Sequence, residues 1–120
     1  MESSIGFERR STRRYRWRMD QPEILITDQP AAMRYEAHLG SELAGFVEYR
    51  LLAGRRVLLH TEVLPAFAGR GIGAVLARHV LDTAIASGVR VSVKCPFIRT
   101  YVDRHPQYMA IAAPPRRSSG

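Results

Sequence analysis

Leu64-Pro65-Ala66-Phe67-Ala68-Gly69-Arg70-Gly71-Ile72-Gly73-Ala74 is the stretch that decides the fold, because the hydrophobic period changes across its three alternating glycines. Before it, Arg56 to Val63 reads as a β-strand. After it, Val75, Leu76, Val80 and Ala84, with Ala77, Leu81 and Ile85 beside them, recur at three- and four-residue spacing from Ile72 onward, the mark of an amphipathic helix. Arg78 and Asp82, four apart, share its outer face, and Gly88 suits the left-handed residue that ends a helix. Glycines at a strand-to-helix junction let the backbone approach a ligand closely, and the free N–H groups of the first helical turn favour an anion. Arg70 adds a charge-assisted contact for a phosphate. The same Gly-x-Gly spacing also serves simply to start a helix packed tightly on a sheet, and spacing alone does not separate the two readings.

Outward from this stretch, the N-terminal side is β-type. Ile24-Leu25-Ile26-Thr27-Asp28 is broken by Gln29-Pro30. Alternation then places Met33, Tyr35, Ala37 and Leu39 on one face of a half-buried strand. Gly40-Ser41 turns the chain into a strand over Glu42 to Leu52, with Leu43, Gly45, Val47 and Tyr49 opposite Ala44, Phe46 and Glu48, and Ala53-Gly54-Arg55 is the next tight turn. Together with Arg56–Val63 these predict a three-stranded antiparallel meander. On the C-terminal side Val89–Val93 reads as a strand, Pro96 opens a short helix over Phe97 to Arg104, and Pro106 stops it. A strand–helix–strand crossover makes Arg56–Val63 and Val89–Val93 parallel neighbours. The predicted fold class is α/β with a mixed sheet (α+β): a meander followed by helix, parallel strand and helix. The chain divides into a basic, flexible segment over 1–23, one domain over 24–109 and a frayed tail over 110–120.

Composition sets the outer bounds. A chain of 120 residues, 46% hydrophobic, supplies one core. No apolar run approaches the roughly 20 residues of a membrane-spanning helix, and no secretory leader opens the chain, so a soluble, cytoplasmic protein is expected. The single cysteine, Cys95, allows no internal disulfide and, without ligand-spaced partners, suggests no metal site. The net charge of +7 sits in the ends: residues 1–18 hold six arginines against Glu2 and Glu8, and Arg116 and Arg117 follow in the tail. Ten basic and nine acidic residues remain between Met19 and Pro115. Binding of nucleic acid through the basic ends is therefore the weakest functional reading.

The glycine segment resembles the acyl-CoA-binding motif of GNAT acetyltransferases, commonly Gln or Arg, two residues, Gly, one residue, then Gly or Ala, matched here by Gly71 and Gly73. The Gln/Arg place falls on Ala68, which leaves the cradle to backbone groups and Arg70. With His60-Thr61-Glu62-Val63 before it, and Cys95-Pro96-Phe97, Tyr101-Val102 and His105-Pro106-Gln107-Tyr108 after it, residues 24–109 resemble the minimal, single-domain YjdJ-like GNAT proteins. The resemblance implies a shortened GNAT fold lacking the helices that normally lie between the first two strands. It implies acetyl-CoA as cofactor, held by Val63, Leu64, Ala68, Gly69, Arg70, Gly71, Ile72, Gly73 and Ala74, with Arg99 and Tyr101 across the gap. It further implies that the strand before the glycine loop splays from its parallel neighbour. The backbone of Glu62, Val63 and Leu64 then faces the pantetheine arm, and an N–H there stabilises the oxyanion.

Four side chains are candidates for chemistry. Glu62, at the end of its strand, is placed as a base or as a solvated carboxylate, and His60, two residues earlier, lies on the same face. Cys95, directly before a helix whose first turn favours a thiolate, is an acyl-accepting nucleophile or a small buried apolar residue. Tyr101 donates a proton to the leaving thiolate or packs its helix on the sheet. An enzyme acetylating an unidentified amine is the preferred reading, and a coenzyme A-binding module with little catalysis is the runner-up.

Overall fold

The computed structural model describes residues 12–15 and 23–112. The basic residues outside those bounds, among them Arg9, Arg10, Arg16, Arg18, Arg116 and Arg117, and with them most of the expected flexible ends, lie outside the described residues. Six strands form one sheet in sequence order: β1 (Thr12–Tyr15), β2 (Ile24–Gln29), β3 (Arg34–Leu39), β4 (Glu42–Leu52), β5 (Arg55–Val63) and β6 (Val91–Val93). The first five are antiparallel neighbours, and β6 joins β5 in parallel. Helix α1 (Ile72–Ser87) makes the crossover, α2 (Pro96–Arg104) follows β6, and a short α3 (Met109–Ala112) closes the described chain. The mixed α/β class and the parallel crossover agree with the sequence reading, and the antiparallel part is longer than the predicted meander by β1 and β2.

Alternation explains one face of this sheet. Ile24 and Ile26, Tyr35, Ala37 and Leu39, Val47 and Tyr49, and Leu58 are buried together and meet Ile72, Leu76, Val80 and Leu81 of α1. The other face carries Arg34, Glu36, His38, Phe46, Glu48, His60 and Glu62, all half-buried or exposed. Gly88 ends α1 with φ 70°, its N–H returned to the carbonyls of Ala84 and Ile85, and Arg78 and Asp82 pair across one turn at 3.7 Å.

Several local expectations change. Met33 is not on the buried face: a 3-10 turn over Pro30–Ala32 puts it at φ 56°, exposed, with its carbonyl accepting from Tyr49. Two bulges break strict alternation. Ala44 is the extra residue opposite Ala37 and His38, so it is buried beside Gly45 rather than opposite it, and Leu43 is only half-buried. Leu59 is the extra residue opposite Glu48 and Tyr49. Ile85 is exposed, and the position of α1 that sequence periodicity overlooked is His79, 4% exposed.

Both ends of the 24–109 domain extend. Thr12–Tyr15, read as part of a flexible segment, pairs with Ile24–Thr27 and sets the Tyr15 hydroxyl 3.0 Å from His79 Nδ1. Burial, with the nearby Arg13 charge, pushes His79 down to about 4, so the imidazole is neutral. At the other end, Ala110–Ala112, read as frayed, complete a helical turn in which Ala112 is fully buried. Tyr108 is anchored just before it, donating to Asp82 of α1 at 2.7 Å.

Candidate functional site

Strand β5 outruns its parallel partner. Pairing with β6 covers Arg56–Leu58 against Val91–Val93, and the last link is Lys94 N–H to Leu58 carbonyl, 2.9 Å. Beyond it the chain turns at Pro96 into α2, while β5 continues to Val63 beside β4 only. An opening is thus left between Thr61–Val63 and the start of α2. The bulge at Leu59 sets which backbone groups face it. Leu64 N–H donates to Ala44 carbonyl on the β4 side at 2.8 Å; amides alternate along a strand, so the Val63 N–H points to the opposite, open edge. Of the backbone groups expected there, the N–H groups of Glu62 and Leu64 therefore face β4, and that of Val63 faces the opening.

The opening leads into a pocket of about 520 Å³ between the glycine segment and α2. Of the residues expected to hold a cofactor, Val63, Ala68, Gly69, Gly71, Ile72, Gly73, Ala74 and Tyr101 line it. Each glycine has a separate reason. Gly69 and Gly71 both take φ 80°, which costs a residue with a Cβ roughly 1–2 kcal/mol. Gly71 is the N-cap of α1, so the amides of the first turn are aimed into the pocket without a capping side chain. At Gly73 a Cβ would lie 2.8 Å from Phe97 Cζ, so only glycine admits that ring against the helix.

Three expected residues stand elsewhere. Leu64 is held as described, Arg70 is exposed with its guanidinium 5.4 Å from the centre of the Phe67 ring, and Arg99 Nη2 reaches back to the Val93 carbonyl at 3.4 Å. Arg99 and Tyr101 cannot share a wall, because residues two apart on a helix point to nearly opposite sides. The pocket instead takes Phe97, Thr100, Arg104 and His105, which sequence reading missed. Their signal was in the chain: with Tyr101 they repeat at three- and four-residue spacing from Phe97, the first residue after the helix-opening proline.

The candidate chemical groups fall into two sets. On the pocket wall, the ring of Tyr101 stacks on His105 with centroids 4.0 Å apart, and His105 Nδ1–H donates to the Tyr101 carbonyl at 2.8 Å. Burial raises the Tyr101 hydroxyl above its usual range, so it is a proton donor at neutral pH. His60, Glu62 and Cys95 lie outside the wall. His60 Nε2 and Glu62 Oε1 are 2.8 Å apart on the opposite sheet face; a carboxylate accepts, so Nε2–H donates and Nδ1 is the lone-pair nitrogen of the neutral ring. Cys95 is 2% exposed, and its sulfur contacts Thr61 Oγ1 at 3.2 Å instead of capping α2, whose N-cap it forms through the backbone. Among the described residues no group of His, Cys, Asp and Glu is arranged to hold a metal ion, and no helix is long and apolar enough to cross a membrane.

Protein NATD1 of Bos taurus is 40% identical over 60 residues, 47% of this chain and 53% of that protein; Protein NATD1 of Homo sapiens is 38% identical over 60 residues, 47% and 53%. The match thus spans about half the length of these curated relatives. The solved ribosomal-protein-alanine N-acetyltransferase from Brucella melitensis biovar Abortus 2308 is similar over 72% of this chain and 65% of that one, at 26% identity and a TM-score of 0.47. Residues 34–111, which run from the start of β3 through the glycine pocket and α2 into α3, match the family described as GCN5-related N-acetyl-transferase. Since that match takes in most of the chain and both walls of the pocket, the chain belongs to the GCN5-related N-acetyltransferase family.

Proposed function

We propose that this protein transfers an acetyl group from acetyl-CoA to an amine, as a member of the YjdJ-like type. The observation that carries the reading is the glycine-walled pocket opening onto the unpaired edge of β5. The fit to the cofactor rests on Gly69 and Gly71 at positive φ, on Gly73 held clear for Phe97, and on the first-turn amides of α1 aimed at the cavity. Ile72, Gly73 and Ala74 would hold the diphosphate through those amides. Acetyl-CoA, when bound, supplies an activated thioester.

The remaining chemistry belongs to the chain. Val63 N–H, unused by the sheet, is positioned as the donor to negative charge developing on the acetyl oxygen. Glu62 orients His60, whose Nδ1 takes the proton that the amine loses as its N–C bond forms. Tyr101 returns a proton to sulfur as the C–S bond breaks. Glu62 thus acts through His60 rather than as the base itself, and Cys95 packs against Thr61, a setting for a buried apolar residue rather than an acyl carrier.

One observation favours the coenzyme A-binding module with little catalysis: His60 and Glu62 stand on the far side of the sheet from the pocket wall. Thermal unfolding with and without acetyl-CoA comes first. A ligand selective for the native state at about 100 times its Kd stabilises by about 2.7 kcal/mol, and Gly71→Val should abolish the shift. No shift in the wild type defeats the reading. If acetyl-CoA binds but no acetylated product accumulates with lysine, small amines and protein N-termini as acceptors, the binding module stands instead.

A further inference from the structure

The end of the sheet away from the glycine pocket carries an apolar tip that acetyl transfer does not use. Strand β5 runs from Arg55 at the β4–β5 turn to Val63 at the opening, a span of about 26 Å at the rise of a strand. Leu52 pairs with Arg55, which leaves Ala53-Gly54 as a two-residue loop. Leu51 and Leu52 are 62% and 54% exposed, more than any other large hydrophobic side chain among the described residues.

The loop departs from the usual chemistry of such turns. Ala53 and Gly54 take φ 52° and 79°. Positive φ at both places selects Asn-Gly or Asp-Gly, whose polar side chain also suits water. Alanine strains the backbone there and carries the apolar run Leu51-Leu52-Ala53-Gly54 across the turn. Strain that no packing contact requires points to function.

Arginines flank this tip. Arg50 precedes the leucines, Arg55 follows the loop, and exposed Arg90 lies beside them at the entry to β6, its carbonyl accepting from Arg56 N–H at 3.0 Å. Arg50 donates to the Tyr49 carbonyl and Arg55 to Ser92 Oγ, so among the described residues none of the three is paired with a carboxylate. Asp28 is committed elsewhere, accepting from Tyr49 at 2.6 Å and facing Arg56 at 3.8 Å.

We propose that the β4–β5 tip docks on an anionic lipid surface, with Leu51 and Leu52 entering the acyl boundary and Arg50, Arg55 and Arg90 meeting the headgroups. A protruding pair of leucines offers a rigid partner no cleft to fill, whereas a bilayer interface yields around it. Arginine suits that boundary, with its apolar stem in the interface and its charge among the anionic lipids. Docking by this end leaves the pocket, at the other end of β5, open to water. The inference does not depend on the acetyl-CoA reading.

The test is co-sedimentation of the full chain with phosphatidylcholine vesicles, with and without about 30% phosphatidylserine, at roughly 0.1 and 0.5 M salt. Wild type should bind the phosphatidylserine vesicles, bind pure phosphatidylcholine far more weakly, and lose affinity at the higher salt. Leu51→Ser with Leu52→Ser, both exposed and so harmless to the fold in a thermal melt, should weaken binding about tenfold or more. Arg50→Gln and Arg90→Gln should each weaken it roughly fivefold. No binding by the wild type overturns the inference. Binding undiminished by the leucine substitutions also overturns it and assigns the contact to the arginines of the chain ends. A lipid-free wild-type dimer in light scattering that the leucine variant loses assigns the tip to a second copy instead, which is equally fatal.

Discussion

The fit of Phe97 against Gly73 gives a prediction that needs no ligand. Gly73→Ala places a methyl carbon 2.8 Å from Phe97 Cζ and 3.1 Å from Cε2, where carbon atoms normally stay about 3.5–4.0 Å apart. The ring tip must retreat by about 1 Å. Taken alone, alanine for glycine within a helix stabilises by roughly 0.5–1 kcal/mol, while forcing an extra methyl into a filled site costs about 1–3 kcal/mol. Phe97 is 45% exposed and can swing outward, so the lower end of that cost applies. The net effect of Gly73→Ala in the wild type should be between no change and a loss of about 0.5 kcal/mol. In a Phe97→Ala background the clash is gone and the same substitution should stabilise by roughly 0.5–1 kcal/mol. Urea unfolding of the four proteins, followed by far-ultraviolet circular dichroism, measures the cycle, and the expected coupling is the clash itself, about 1 kcal/mol. If Gly73→Ala changes stability equally in both backgrounds, the ring does not occupy that position. A second readout follows, because a displaced Phe97 reshapes the groove: Gly73→Ala should weaken acetyl-CoA binding.

Three further predictions concern other parts of the molecule. The pKa of His79 is about 4 in the fold against 6.5 in the open chain, so below pH 6.5 the unfolded chain binds a proton that the folded one refuses. Stability should be full above that pH and fall by about 1.4 kcal/mol per unit down to about pH 4, a slope that His79→Gln removes in thermal melts across pH; an identical slope in the variant refutes it. Gly45→Ala puts a Cβ 2.7 Å from the Glu62 backbone carbonyl, which cannot swing aside, and should destabilise by about 1–3 kcal/mol in chemical denaturation. For acetyl transfer, His60→Ala should lower kcat about 100-fold or more, whereas Glu62→Gln should lower it less, since it removes the orienting partner and leaves the base; the reverse order in steady-state assays would make Glu62 the base.

Much of the fold was legible in the chain because its signals are local. The switch of period at Leu64–Ala74, the left-handed Gly88, the turn at Ala53-Gly54 and the proline at the head of α2 each act over a few residues, and each stands where it was read. So were the glycines along one pocket wall, and His60 and Glu62 as neighbours on one strand face. Tertiary contacts decided the rest. Whether a backbone amide is free depends on strand pairing, and pairing assigned Leu64 N–H to Ala44 and left Val63 facing the opening. The bulges at Ala44 and Leu59 shift which residues face the helix, and no local pattern announces them. Tyr15 looked like part of a basic segment until the sheet edge gave it a place beside His79. Arg99 and Arg104 are equivalent as sequence, two arginines on one short helix. Only the packing of α2 on α1 turns Arg99 back toward the sheet and sets Arg104 on the pocket lip, because helical side chains are sorted by the face they present and the face is chosen by what the helix lies against.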